Sequence, residues 1–435
     1  MAKKHLSYKE AVDYLYGLQK YGIKFGLSKT SNLLKAFGNP QRGRRFIHIA
    51  GSNGKGSVAA MLESILVTSG LKVGFYLSPH LVRFTERFRI NGAEIARDRV
   101  ARLTGELMKV IRPEEPPTFF EAATAMALLY FDEEGVDIAI MEVGMGGRLD
   151  ATNVIRPAVS VITNISMEHR EFLGNRLLDI AGEKGGIIKK GVDLVTAAAQ
   201  PAVIGLFKAL CEKKGAPFWR VGRDMRIRSF GSGLNYYGLD RTLRGLELAL
   251  EGNHQKRNAA TALGVIELLK RKGVDVSDAD ILEGLKKASW PGRMQVASQS
   301  PLTILDGAHN PGAMRELAAS LRRRFGHKRL VLVLGIMADK DIKSVTRGIV
   351  PLADYVIYTR PQYYRAAEPG ILMRAAEPLG TPGEIVLPLS EAVGRARGMA
   401  GPEGLVLITG SLFTVGEALS FLEPEKFRPD EGGVG

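Results

Sequence analysis

The chain of 435 residues contains one cysteine, Cys211. A lone thiol excludes an intramolecular disulfide and any multi-cysteine metal site, and it suits a reducing, cytoplasmic setting. No apolar run approaches the ~18 residues needed to cross a bilayer, since even Leu330 to Met337 has only strand length. No membrane partner is expected. The start, Met1 to Glu10, carries basic residues without an apolar stretch behind them and does not read as a secretory signal. Acidic residues are also in deficit, 46 against 60 Lys and Arg, which leaves a formal charge of +14.

The composition is otherwise that of a globular protein: 45% hydrophobic and 24% charged residues exclude general disorder. The length predicts two domains, because single cores stop growing at roughly 250 to 300 residues. The basic excess points to nucleic acid, a membrane surface or small anions, or to a merely solvated face. It is uneven: residues 1–50 hold ten Lys and Arg and two acidic residues, so eight of the fourteen excess charges lie there.

Strand-like runs at 45–50, 72–77, 137–143, 158–165 and 193–197 alternate with helix-like segments such as 57–69 and 121–131. This β-then-α alternation predicts a parallel sheet covered by helices, an α/β fold. A second series, with runs at 302–305, 330–334, 355–358 and 405–408 and helices near 313–324 and 391–399, follows Trp290-Pro291-Gly292-Arg293. The Pro-Gly turn suggests a hinge near 288–296, dividing a phosphate-loop domain (1–290) from a smaller Rossmann-like domain (291–435). No internal repeat or low-complexity tract is visible, and the tail after Glu423 is expected to fray.

The run 46–50 leads into Gly51-Ser52-Asn53-Gly54-Lys55-Gly56-Ser57 and then a helical segment. Strand, glycine loop, Lys, Ser and helix is the order of a loop that cradles nucleotide phosphates, although it is one residue shorter than the general pattern. Its glycines let backbone N–H groups converge on an anion at a helix N-terminus. Lys55 would neutralise phosphate charge and Ser57 would help to hold Mg²⁺. The apolar run 137–143 ends at Glu142, followed by glycines, which suits a metal-binding carboxylate or a simple turn cap. His169 follows the next strand, at the edge where ligands of parallel sheets collect, and reads either as a structural residue or as a ligand completing an oxygen-rich Mg²⁺ site.

With these motifs in place, the chain resembles the ATP-dependent folate ligases, the dihydrofolate synthase/folylpolyglutamate synthase family of Mur-type amide ligases. The likeness runs through 22–27, 36–41, the phosphate loop, Leu77-Ser78-Pro79-His80-Leu81, 86–92, Thr118-Phe119-Phe120-Glu121, 142–153, Glu183-Lys184, 254–259, 291–293, 306–311 and 409–412. It implies Mg²⁺, two ions by expectation, held by Ser78, Glu142, His169 and Lys184, the lysine as its carbamate. ATP contacts are implied at Asn53, Gly54, Lys55, Gly56, Ser57, Asn258, Arg293 and Asp306, with His309 beside them. The pterin-bearing acid is implied at Lys29, Thr118 to Glu121, Leu149, Asp150 and Ala151. A monovalent cation is a further possibility. Departures are mild: Ser52 for Thr, Lys29 for Arg, Gln295 for Glu, and Met167-Glu168 for Leu-Asp.

The expected activity is ligation of L-glutamate to dihydropteroate or a folate through an acyl phosphate, in a monomer that binds no nucleic acid. The alternatives are a Mur-type cell-wall ligase, a nucleic-acid-stimulated ATPase and a non-catalytic nucleotide-binding module. No recognisable nucleic-acid motif accompanies the charge, which fits a funnel for small acids.

Overall fold

The computed structural model describes residues 6–22, 24, 26–230, 233–326 and 328–430. Ile23 and Phe25 of the 22–27 motif lie outside the described residues. The chain forms two compact units, one of residues up to 80 with 84–249 and 255–289, the other of 81–83, 250–254 and 290 onward.

The first unit carries strands β1 (Phe46–Ala50), β2 (Val73–Tyr76), β3 (Phe88–Ile90), β4 (Ala93–Glu94), β5 (Ile138–Glu142), β6 (Val159–Ile162), β7 (Asp193–Thr196) and β8 (Phe218–Arg220). They form one sheet in the order β4-β3-β2-β5-β1-β6-β7-β8. The six strands from β2 to β8 in that order run parallel, and β3 pairs antiparallel with both β2 and β4. Every residue of β1, β2, β5, β6 and β7 is buried, as expected for strands covered on both faces. One face packs on the apolar helix Phe119–Glu133, the other on helices that include Lys55–Thr68 and Gln255–Arg271. Gly284 allows the close approach of helix Asp278–Lys287, because a Cβ there would lie 2.6 Å from the Ile65 backbone.

The parallel sheet predicted from the apolar runs is present. The predicted strand 45–50 is observed at 46–50, and 158–165 shortens to 159–162 because the chain turns away into the loop after β6. A separate antiparallel sheet of β9 (Arg226–Phe230), β10 (Gly233–Tyr237) and β11 (Thr242–Leu246) was not expected. These strands carry little apolar surface, and β9 is largely exposed, so hydropathy alone does not mark them.

The second unit is a six-stranded sheet in the order β12-β13-β17-β14-β15-β16, of β12 (Gln295–Gln299), β13 (Leu302–Asp306), β14 (Leu330–Leu334), β15 (Tyr355–Tyr358), β16 (Gly383–Ile385) and β17 (Leu405–Thr409). Only the edge strand β12 is antiparallel. The expectation of a frayed tail after Glu423 is corrected: Phe427 is buried, and the carbonyls of Lys426 and Arg428 accept from Arg83 Nη1 at 3.1 and 3.4 Å. One apolar ring in a polar tail was enough to dock it.

Candidate active site

Because β1 lies between β5 and β6, the loop after β1 emerges beside the ends of both. Ile49 pairs with Glu142 and Ala50 with Ile162, so the glycine loop, the carboxylate and the segment leading to His169 share one sheet edge. Tyr76 pairs with Met141, which brings Ser78 to the same edge.

Two glycines of the loop are required by shape. Gly51 has φ +144°, and a Cβ there would sit 1.9 Å from Thr163 Oγ1; Gly54 has φ +85°, and its Cβ would meet Asn258 Oδ1 at 2.6 Å. The loop is clamped by the chain that follows β6. Ser52 N donates to Asn164 O at 2.9 Å, Asn53 N to Asn164 Oδ1 at 2.8 Å, and Thr163 Oγ1 to Asn53 O at 2.7 Å. Ser52 Oγ donates to Ser166 O and accepts from Ser166 N. The helix Lys55–Thr68 starts at once, so its unpaired N-terminal amides face the loop, where an anion is favoured. Ser57 is buried and accepts from Gln255 Nε2 at 3.3 Å, and Gln255 in turn accepts from Asn258 Nδ2 at 2.8 Å.

Two ammonium groups converge here. Lys55 Nζ donates to Gly51 O at 3.0 Å and lies 4.0 Å from Glu142 Oε1. Lys184 Nζ donates to the same carbonyl at 3.2 Å and lies 2.7 Å from Glu168 Oε1. Charge type alone would leave Lys184 in solvent, yet it is 3% exposed. Burial holds its amine below the ordinary lysine range, against the raising effect of Glu168. For Glu168, burial favours the neutral acid, but the charges of Lys184, Lys55 and His169 prevail and its carboxyl titrates at about 2. The end of helix Leu177–Gly185, which carries Lys184, touches the loop after β5: Arg148 N donates to Glu183 O at 2.8 Å. A Cβ on Gly186 would come within 2.3 Å of Arg148 Cα, so only glycine permits that approach.

The donor set suits an oxygen-seeking divalent ion. Ser78 Oγ is buried without a hydrogen-bond partner, and Glu142 places a buried carboxylate at the same edge. Among the described residues, no three His, Cys, Asp or Glu side chains gather as a metal site. His169, with φ +44°, precedes the short helix Arg170–Leu173.

The segments expected to meet the acid substrate divide into scaffold and surface. Thr118 and Glu121 form a capping box on helix Phe119–Glu133, Thr118 N donating to Glu121 Oε2 at 2.7 Å and Glu121 N to Thr118 Oγ1 at 3.2 Å. Asp150 accepts from Met145 N at 2.9 Å and Thr152 N at 3.0 Å, which folds the 144–150 loop, while burial pushes its carboxyl up. Lys29 Nζ donates to Pro116 O at 2.6 Å, and Ala151 is buried. Phe119, Phe120 and Leu149 are half-buried and offer apolar surface. Phe119 stacks on Tyr16, ring centroids 5.3 Å apart and planes at 12°.

In the second unit Asp306 accepts from Met294 N at 3.0 Å and Ala308 N at 2.9 Å, which organises the turn holding Arg293. Arg293 Nη1 donates to Gly292 O at 3.0 Å, and His309 Nδ1 donates to Gly307 O at 2.9 Å. Arg293, Asp306 and His309 therefore cluster within that unit. The sequence reading missed Glu168 as partner of Lys184, the Thr163-Asn164-Ser166 clamp and the Gln255 contact to Ser57. The one-turn spacing of Gln255 and Asn258 was the only available sign of the last.

Residues 49–266 match the family description "Mur ligase middle domain", and residues 292–412 match "Mur ligase, glutamate ligase domain". The chain is 32% identical over 423 residues to the dihydrofolate synthase/folylpolyglutamate synthase of Bacillus subtilis, covering 94% of this chain and 98% of that protein. It is 36% identical over 431 residues to a probable bifunctional folylpolyglutamate synthase/dihydropteroate synthase of Haloferax volcanii, covering 95% of this chain and only 50% of that longer protein. Among solved structures, the E. coli FolC complex with DHPP and ADP superposes with a TM-score of 0.88 at 31% identity, covering 96% of this chain and 98% of that one. The bifunctional folylpolyglutamate synthase/dihydrofolate synthase of Yersinia pestis with AMPPNP and manganese gives 0.87 at 31%, covering 96% and 98%. With its phosphate loop, strand-end glutamate and buried lysine on one sheet edge, the chain belongs to the dihydrofolate synthase/folylpolyglutamate synthase family of Mur-type ligases.

Proposed function

We propose that this protein uses ATP to join L-glutamate by an amide bond to dihydropteroate, to a folate, or to both. The observation that carries the reading is the convergence of Lys55 and Lys184 on the Gly51 carbonyl beside Glu142, at the head of a phosphate-cradling helix. The loop amides and Lys55 bind and neutralise the triphosphate. With the ring system of the acid lying over Phe119, Phe120 and Leu149, its carboxylate attacks the γ-phosphoryl group to give an acyl phosphate and ADP, and the uncharged amine of glutamate then attacks the acyl carbon, loses a proton and expels phosphate. Such chemistry is mainly positioning and charge neutralisation.

Ser78, Glu142, His169 and Lys184 as a carbamate are proposed to hold Mg²⁺, two ions in all, with a monovalent cation proposed as a third. The metal supplies charge neutralisation for the phosphoryl oxygens. Asn258, Arg293, Asp306 and His309 are assigned to ATP on the family resemblance, and Lys29, Thr118, Glu121, Asp150 and Ala151 to the walls of the acid site. The same resemblance supports a cytoplasmic monomer without nucleic-acid or membrane partners. The test is ADP release with each acid and glutamate, followed by product masses. Lys55→Ala is expected to abolish that release. Wild-type turnover in that variant, or ATP hydrolysis driven by DNA or RNA instead of by the acid, would sink the reading.

A further inference from the structure

The motifs at 77–81 and 86–92 contain two buried groups to which no role has yet been given, His80 and Arg87, at 5% and 6% exposure. Arg87 Nε donates to His80 Nδ1 at 2.8 Å. A guanidinium can only donate, so Nδ1 must carry the lone pair, and His80 is the neutral tautomer with its proton on Nε2. That proton faces Tyr16 Oη at 3.4 Å. Tyr16 is the residue stacked on Phe119, and the Arg87 guanidinium lies 5.0 Å from the centroid of the same Phe119 ring. Phe84 meets that ring edge-on at 6.0 Å.

Among the described residues Arg87 meets no carboxylate. Its neighbours are a neutral imidazole, the Tyr76 hydroxyl and an aromatic face. A buried cation without a counter-charge is strongly unfavourable, and an exposed lysine or a leucine would hold the same helix and strand together without that cost. The charge is also fixed in place, since His80 orients its Nε and leaves its other donors and its charge behind a half-buried phenylalanine. Such an arrangement suits a ligand that is flat, stacks on an aromatic wall and presents an oxygen acceptor.

We propose that Arg87 is a specificity-determining residue for the acid substrate, its guanidinium reading the lactam carbonyl edge of a flat heterocycle at the Phe119 wall, with His80 as its positioning residue. This rests on the folate-ligase reading, in which the heterocycle is a pterin. The charge selects a ring with a carbonyl oxygen at that edge and rejects one in which an amino group, a donor facing a donor, replaces it.

The test compares dihydropteroate with its analogue carrying an amino group in place of the lactam oxygen, by equilibrium calorimetry on the full chain and by glutamate-dependent ADP release. Wild-type protein is expected to bind the oxo compound at least about tenfold more tightly. Arg87→Met should lose that preference through KM for the acid, with KM for ATP unchanged, and Arg87→Lys should restore part of it. Should Arg87→Met fail to fold, the wild-type comparison still decides. Equal binding of the two compounds by wild type, or an Arg87→Met protein that keeps the preference, would overturn the proposal. ADP release that ignores the acid while the binding preference persists would strike the ligase reading alone.

Discussion

At the scale of single residues, Lys184 is where chemical type and environment disagree most. A lysine at 3% exposure, held 2.7 Å from Glu168 and 3.2 Å from a backbone carbonyl, is far from the solvated charge its type suggests. Two readings separate cleanly. If Lys184 acts as a carbamate, Lys184→Ala lacks an oxygen ligand, and added short carboxylic acids should restore part of its activity by supplying one. If the Glu168 ion pair is the working form, removal of the ammonium leaves a buried carboxylate unpaired, and an added anion would only worsen matters. Recovery of ADP release with rising acetate or formate supports the first; its absence at every concentration supports the second.

At the scale of elements, caps and turns do much of the positioning. The capping box of Thr118 and Glu121 starts the helix that projects Phe119 and Phe120, so two residues assigned to substrate by likeness also aim the two aromatic rings. Thr118→Ala should cost about 1 kcal/mol of stability, the usual effect of losing such a cap. Because the first turn then loosens, KM for the acid should rise while KM for ATP holds. Denaturant melts and a KM comparison check both, and an unchanged KM for the acid would reduce Thr118 to a cap alone. The same logic explains the loop after β5, whose shape comes from amides donated to Asp150 and from the close contact between Arg148 and Gly186.

At the scale of the whole molecule, charge and protonation set the behaviour. The excess of +14 is concentrated before the phosphate loop, consistent with handling small acids. Stability should depend on acid pH through buried histidines. Burial, aided by Lys189, lowers His48 from 6.5 to about 3, and His80 and His254 are displaced in the same direction. The unfolded chain binds protons at these sites below about 6.5 while the folded chain does not. Stability is thus fully present above that pH and declines as pH falls toward 3. Tm measured from pH 7.5 to 4 should fall, and His48→Gln should make the fall shallower. An identical slope in the variant would show that His48 plays no part.

The parallel sheets and the phosphate loop were legible in the sequence, because strands buried on both faces read as continuous apolar runs and a phosphate cradle is glycine-rich. Strands 330–334 and 355–358 are observed where their hydropathy put them. It left the antiparallel β9–β11 sheet unmarked, since polar, exposed strands carry no comparable period. The docked Phe427 was equally hidden, as one aromatic residue in a polar tail has no pattern at all. Which polar groups meet was set by folding, because the partners are far apart along the chain. Lys184 lies 133 residues from Gly51, and the ion pair of Lys184 with Glu168 depends on how a helix end closes on the loop after β6. Arg87, His80 and Phe119 likewise come from separate segments, and their unbalanced charge exists only because folding removes water from all three.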